Sequence, residues 1–286
     1  MSTHVTGIDH VVILVRHLDA SEHQLRTLGF RPTPRGYHSA KMGTANHTVM
    51  FREANYFETL GVVADTPLSA PFARILAERE GITAVAFQTD DARAAAADFQ
   101  AGGFGAGEAV DFARPVDLAD GTKEAAFTVA RIESGTLAGL EAFVCQHHTP
   151  GVTWRPDYLD HENGVKGLAE LVGVADDLAA VAASFERIFG PGAGRIADGV
   201  LTIETGTVPI RYVGPDRVAE RFAGMTAIAD ARPPYLLGLS FRVADVDATA
   251  ACLARHGIAA ERSASGAVLV APADACGTVM EFGAAA

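Results

Sequence analysis

A strand-helix unit recurs four times along this chain, and few folds can accommodate that. Gly7-Ile8-Asp9-His10-Val11-Val12-Ile13-Leu14-Val15 is apolar and rich in β-branched residues, so it reads as a buried strand. Ser21 to Leu28 has helical spacing, and Gly29 stops it. The same order returns at Gly81-Ile82-Thr83-Ala84-Val85-Ala86-Phe87, at Gly167-Leu168-Ala169-Glu170-Leu171-Val172 and at Leu237-Gly238-Leu239-Ser240-Phe241. From His10 and its equivalents Ala84, Glu170 and Gly238, the stopping glycine lies 19, 19, 20 and 19 residues on (10 to 29, 84 to 103, 170 to 190, 238 to 257). A spacing kept that closely marks an internal repeat.

Behind each stopping glycine come short apolar runs separated by turn residues. They include Thr44 to Phe51 and Tyr56 to Val63 in the first unit, Ala125 to Ala130 and Leu140 to Val144 in the second. Val200 to Glu204 and Val208 to Val213 follow in the third, Ala267 to Val270 and Thr278 to Phe282 in the fourth. Each unit is therefore β-α-β-β-β, with its helix covering one face of a small sheet and the other face left for something else.

These units, the opening Asp9-His10-Val11-Val12 with Val15 and Leu18-Asp19, and the ending Tyr56-Phe57-Glu58 resemble the vicinal oxygen chelate superfamily, which includes glyoxalases, epimerases, extradiol dioxygenases and antibiotic-sequestering proteins. Thr33 to His38 followed by Gly43 to His47 resembles its glyoxalase-like subfamily. The fold this implies is α+β, with four βαβββ modules forming two glyoxalase-like cupped-sheet domains. The implied boundaries are an N-terminal domain at 1–147 (modules 7–63 and 79–147), a linker at 148–163, and a degenerate C-terminal domain at 164–286 (modules 164–214 and 236–284).

The resemblance also implies a ligand set. In the superfamily, metal ligands lie on the first and last strands of paired modules, positions held here by His10, Glu58, Ala84 and Glu141 in the first pair. Glu170, Arg211, Gly238 and Glu281 hold them in the second. His10, Glu58 and Glu141 would give a divalent first-row ion one imidazole and two carboxylates, with open positions for Lewis-acid catalysis. Glu141 or His38 would then move a proton. Arg35 is assigned to an anionic substrate group, with Asn46, His47, Tyr56 and Trp154 as further substrate contacts. Glu170 and Arg211 are read as a structural ion pair. The expected function is binding of a small oxygenated metabolite with metal-dependent isomerase or lyase chemistry; a metal-free sequestering protein and an extradiol-type dioxygenase stand as alternatives.

The connecting stretch Gln146 to Gly164 carries the single tryptophan, Trp154, and three of the ten histidines, and it could either line one cup or pack the halves together. Adjacent His147 and His148 are not expected to share a ligand site, because neighbours on an extended chain point opposite ways. Cys145, Cys252 and Cys276 are widely spaced, which suits a reducing cytoplasm and no disulfide framework. A net charge of −12 disfavours nucleic acid or anionic membrane as partners. No apolar run reaches the length of a membrane span, and Met1 to Thr6 carries no export signal. A small-molecule substrate and a homodimer are the partners expected.

Overall fold

The structure, a computed structural model, describes residues 4–103, 105–118, 121–222 and 233–284. The first module runs β1 (Val5–Leu14), α1 (Leu18–Thr27), β2 (Gly36–Tyr37), β3 (Thr44–Met50) and β4 (Tyr56–Val62). A helix the sequence reading did not contain, α2 (Ala70–Glu78), leads to the second module: β5 (Gly81–Thr89), α3 (Ala92–Ala101), β6 (Val110–Leu118), β7 (Gly121–Arg131) and β8 (Glu141–His147). A short helix, α4 (Pro150–Thr153), opens the connector.

The second half repeats the order. It has β9 (Val165–Val174), α5 (Leu178–Phe189), β10 (Gly194–Ala197), β11 (Val200–Ile203) and β12 (Ile210–Val213). After α6 (Pro215–Phe222) come β13 (Tyr235–Val243), α7 (Val246–Arg255), β14 (Ala260–Arg262), β15 (Val268–Val270) and β16 (Val279–Ala284). Among the described residues no helix is long and apolar enough to cross a membrane.

Local chemistry explains these boundaries. Asp91, Asp177 and Asp245 each accept backbone N–H bonds at the start of α3, α5 and α7, satisfying donors that would otherwise be orphaned. The four stopping glycines all have φ between +75° and +95°, a region a β-carbon disfavours.

Each half is one eight-stranded sheet, ordered β2-β3-β4-β1-β5-β8-β7-β6 and β10-β11-β12-β9-β13-β16-β15-β14. Consecutive modules pair through their first strands, β1 antiparallel to β5 and β9 antiparallel to β13. The last strand of each module runs parallel beside its first, as β4 beside β1 and β8 beside β5.

The helical faces of the two sheets do not form separate cores. Phe30 lies 5.4 Å from Phe241 and 6.0 Å from Phe282 between ring centroids, and Phe51 and Phe57 also meet Phe241. One continuous apolar cluster thus joins both halves. The opposite faces of the sheets form the cups.

Candidate functional site

Strand alternation decides which side chains enter the N-terminal cup. Val11, Ile13, Val85 and Phe87 join the shared core, so their neighbours on each strand face the other way. Register then sets two rows across the cup floor. One runs Tyr56, His10, Ala86, Phe143, and the next runs Glu58, Val12, Ala84, Glu141.

A register shift interrupts this alternation at the most consequential point. Ile8 pairs with Phe87 and His10 with the adjacent Ala86, leaving Asp9 as an extra residue in β1. Such a bulge re-aims side chains. Here it lets Asp9 reach two histidines at once: Asp9 Oδ1 is 2.5 Å from His10 Nδ1, and Asp9 Oδ2 is 3.1 Å from His147 Nε2. Asp9 is completely buried. Burial alone would push its pKa up, yet hydrogen bonds from His10 and His147 and their charges bring it below the ordinary carboxylate value. Because a carboxylate only accepts, the His10 Nδ1 carries the proton and its Nε2 lone pair stays available. The ring is fixed further by stacking on Tyr56 at 4.3 Å and by the edge of Phe143 at 5.4 Å.

Beside this group lies a polar wall. Asn46 Nδ2 donates to Glu58 Oε2 at 2.5 Å, and His38 Nδ1 lies 2.8 Å from Thr44 Oγ1. The His38 pKa is lowered, chiefly by burial and also by Arg114 and His10, with Glu58 opposing. Arg114 belongs to β6, at the far edge of the sheet from Glu58, but the edges β2 and β6 approach each other and nearly close the cup. A β-carbon on Gly36 would sit 2.9 Å from Arg114 Nη1 and 2.7 Å from Asn46 Oδ1, which shows how tightly the guanidinium is folded in. Among the described residues, the Arg114 guanidinium has neither a hydrogen-bond partner nor an ion-pair partner.

The connector closes one end. Trp154 meets Tyr56 edge-on at 5.8 Å and His147 at 4.6 Å, within the N-terminal half instead of between the halves. It lines an open recess of about 500 Å³ with Gln88, Cys145, His147 and Gly151.

Three of the residues assigned from the sequence have their side chains engaged outside this group. Glu141 is exposed, accepts from Ser134 Oγ at 2.5 Å, and lines a separate recess with Ile75 and Arg79. Leu76 of α2, helped by Phe72 and Ile75, packs on Val12 and Ala84 in the row between Glu58 and Glu141. Among the described residues, His10, Glu58 and Glu141 are therefore not one of the groups whose donor atoms all lie within 4.8 Å; Asp9, His10 and Cys145 are. Arg35 is already paired with Asp19 of α1. His47 points to the helical face, with Nδ1 2.9 Å from the Thr33 carbonyl and Nε2 3.7 Å from Glu22, because its neighbours Asn46 and Thr48 take the cup face.

His10, His38, Asn46, Glu58, Tyr56 and Trp154 are brought together in or at the mouth of the cup. Sequence reasoning missed Asp9, Arg114 and His147 as members. In the C-terminal cup, Arg211 pairs with Glu170 at 2.5 Å, and Arg221 of α6 bonds both Glu170 and Glu281.

Paired βαβββ modules around an open cup place the protein in the vicinal oxygen chelate superfamily. Residues 8–189 match the glyoxalase-like domain family, and the chain belongs to it. No curated protein sequence matches the chain. Among solved structures, a hypothetical protein from Staphylococcus aureus is 12% identical with a TM-score of 0.68, covering 97% of this chain and 99% of that one. A 2,3-dioxygenase, LapB, from a Pseudomonas species is 14% identical with a TM-score of 0.59, covering 100% and 94%. An Mn(II)-bound glyoxalase from Novosphingobium aromaticivorans is 14% identical with a TM-score of 0.56, covering 98% and 82%. At these identities the likeness speaks for the fold.

Proposed function

We propose that the N-terminal cup binds a small oxygenated anion and that His10 moves a proton on it. The observation that carries this reading is the buried contact between Asp9 and His10. It fixes the imidazole tautomer and holds the ring where substrate would lie. Arg114 provides a cation with no internal partner, suited to a carboxylate or to an enolate oxygen. Tyr56, Phe143 and Trp154 supply apolar walls, and Glu58 with Asn46 offers a hydrogen-bonding edge.

The residues meet the needs of a divalent ion in part. His10 Nε2 and Glu58 share the cup face, and a carboxylate on the far ring nitrogen is the usual support for a histidine ligand. Ala84 offers no donor and Glu141 is turned away, so an ion would depend on substrate and solvent for its remaining positions. When bound, it would polarise a substrate oxygen and ease proton removal from the neighbouring carbon. This supports isomerase or lyase chemistry over ring cleavage, because the strand position for a second histidine ligand is Ala84.

The test uses 2-oxo and 2-hydroxy carboxylic acids as probes, with and without added Mn²⁺. Solvent deuterium should enter the carbon beside the oxygenated group, and exchange should vanish in His10→Gln while probe binding persists. Exchange that continues in His10→Gln rejects the proton-transfer role. A second reading, sequestration without turnover, is favoured by the aromatic recess beside Trp154. It predicts probe-dependent quenching of Trp154 fluorescence with no exchange in any condition.

A further inference from the structure

Far from the cup, the junction between connector and α7 gathers three donors of different kinds. Cys252 and His256 are four residues apart at the C-terminal end of α7, so they share one helix face. Glu162 from the connector completes the group, and the donor atoms of all three lie within 4.8 Å of one another. Glu162 Oε2 is 3.1 Å from His256 Nε2. Tetrahedral zinc, with bonds of about 2.0 Å to nitrogen and oxygen and 2.3 Å to sulfur, spaces its donors about 3.3–3.6 Å apart. The group therefore needs only small side-chain movements to surround an ion.

The backbone that carries Glu162 is pinned on both sides. His161 accepts from the Arg31 backbone N–H at 3.1 Å, and its other ring nitrogen lies 3.0 Å from the Met50 carbonyl. Asn163 donates to the Leu28 carbonyl at 2.9 Å, while Thr249 of α7 donates to the Asn163 carbonyl at 2.7 Å. Gly29 leaves room for the buried Cys252 sulfur, since a β-carbon there would stand 2.9 Å from it. A donor on rigid backbone, facing two donors on one helix turn, is prearranged for a ligand.

We propose that Glu162, Cys252 and His256 form a binding site for a thiophilic divalent ion of the zinc class. The site ties the connector to α7 and keeps a fourth position for water. Sulfur, imidazole nitrogen and a single carboxylate select zinc or cobalt over magnesium or calcium. Binding releases the Cys252 thiol proton to solvent, and nothing is oxidised. The other close group, Asp9, His10 and Cys145, belongs to the cup already described. Arg255 donates to Glu162 Oε1 at 2.9 Å and competes with the ion for that carboxylate.

Cobalt(II) titration of the full chain tests this, because thiolate ligation gives a near-ultraviolet charge-transfer band that nitrogen and oxygen sites lack. One equivalent should raise the band, and zinc should displace it. Cys252→Ser should abolish it, and His256→Asn, at a ring one-third exposed, should weaken binding by about tenfold or more without disturbing the far-ultraviolet circular dichroism. Arg255→Ala should tighten binding. A wild-type protein with no band overturns the site, as does a band that survives Cys252→Ser or disappears instead in Cys145→Ser.

Discussion

Asp9 and His10 are sequence neighbours whose side chains meet at 2.5 Å inside a strand, an arrangement regular β-structure forbids. The bulge at Asp9 makes it possible, and the buried carboxylate then depends on His10 and His147 for all of its compensation. Asp9→Asn should destabilise the protein by about 3 kcal/mol, the scale of breaking a buried charged pair, measured by urea unfolding at neutral pH. The folded-state pKa of Asp9 lies below its ordinary 3.8. Its contribution is therefore fully present above that value and is lost as pH falls through the lower folded value, so wild type should lose this advantage over Asp9→Asn only in acid.

His161 gives a second pH signature with the opposite origin. Burial lowers its pKa from 6.5 to about 4, against the opposing pull of the Met50 carbonyl and Asp160. Between those values the unfolded chain binds the extra proton, so stability should climb as pH rises from about 4 to 6.5, by about 1.4 kcal/mol per pH unit at most, and level off above. His161→Gln should flatten that slope in unfolding experiments run across the window.

Arg114 separates binding from stability. With no internal partner among the described residues, Arg114→Met should leave the unfolding midpoint nearly unchanged. Affinity for a carboxylate probe should fall by about tenfold or more, the scale of a lost charge-assisted bond, read by calorimetric titration. Equal affinity in the variant would mean that the anion sits elsewhere.

Glu141 and Arg35 serve as contrasts. Glu141→Gln should leave probe and Mn²⁺ binding at the wild-type level, whereas Glu58→Gln should weaken Mn²⁺ binding if an ion enters the cup. Arg35→Ala breaks an exposed pair with Asp19 and should cost less than about 1 kcal/mol. Loss of Mn²⁺ binding in Glu141→Gln would restore the ligand set that the strand positions imply.

Much of the architecture was legible because spacing encodes it. Four strand-helix-glycine units marked the modules, and the family resemblance singled out His10 and Glu58, which β1 and β4 carry on a common face. The site was less legible where alternation breaks or distance intervenes. Asp9 reads as a helix-facing residue until the bulge is known. Arg114 arrives across a curved sheet from the opposite edge, a closure that no local pattern records. The plug formed by α2 was readable in principle: Ser69-Ala70-Pro71 starts a helix, and Phe72, Ile75 and Leu76 share a face. Missing it left Glu141 in the reckoning as a ligand. Trp154, weighed between two roles from composition alone, lies against Tyr56 and His147 because the connector folds back on its own half.

The ring of phenylalanines shared across the midline has a bearing on how such a chain can be handled or inherited. Severed at the connector, the first half would present Phe30, Phe51 and Phe57 to water, a greasy face in want of a lid. A cup that keeps its chemistry must therefore keep its quieter sibling, whose arginine-filled interior can drift freely so long as Phe241 and Phe282 stay in place.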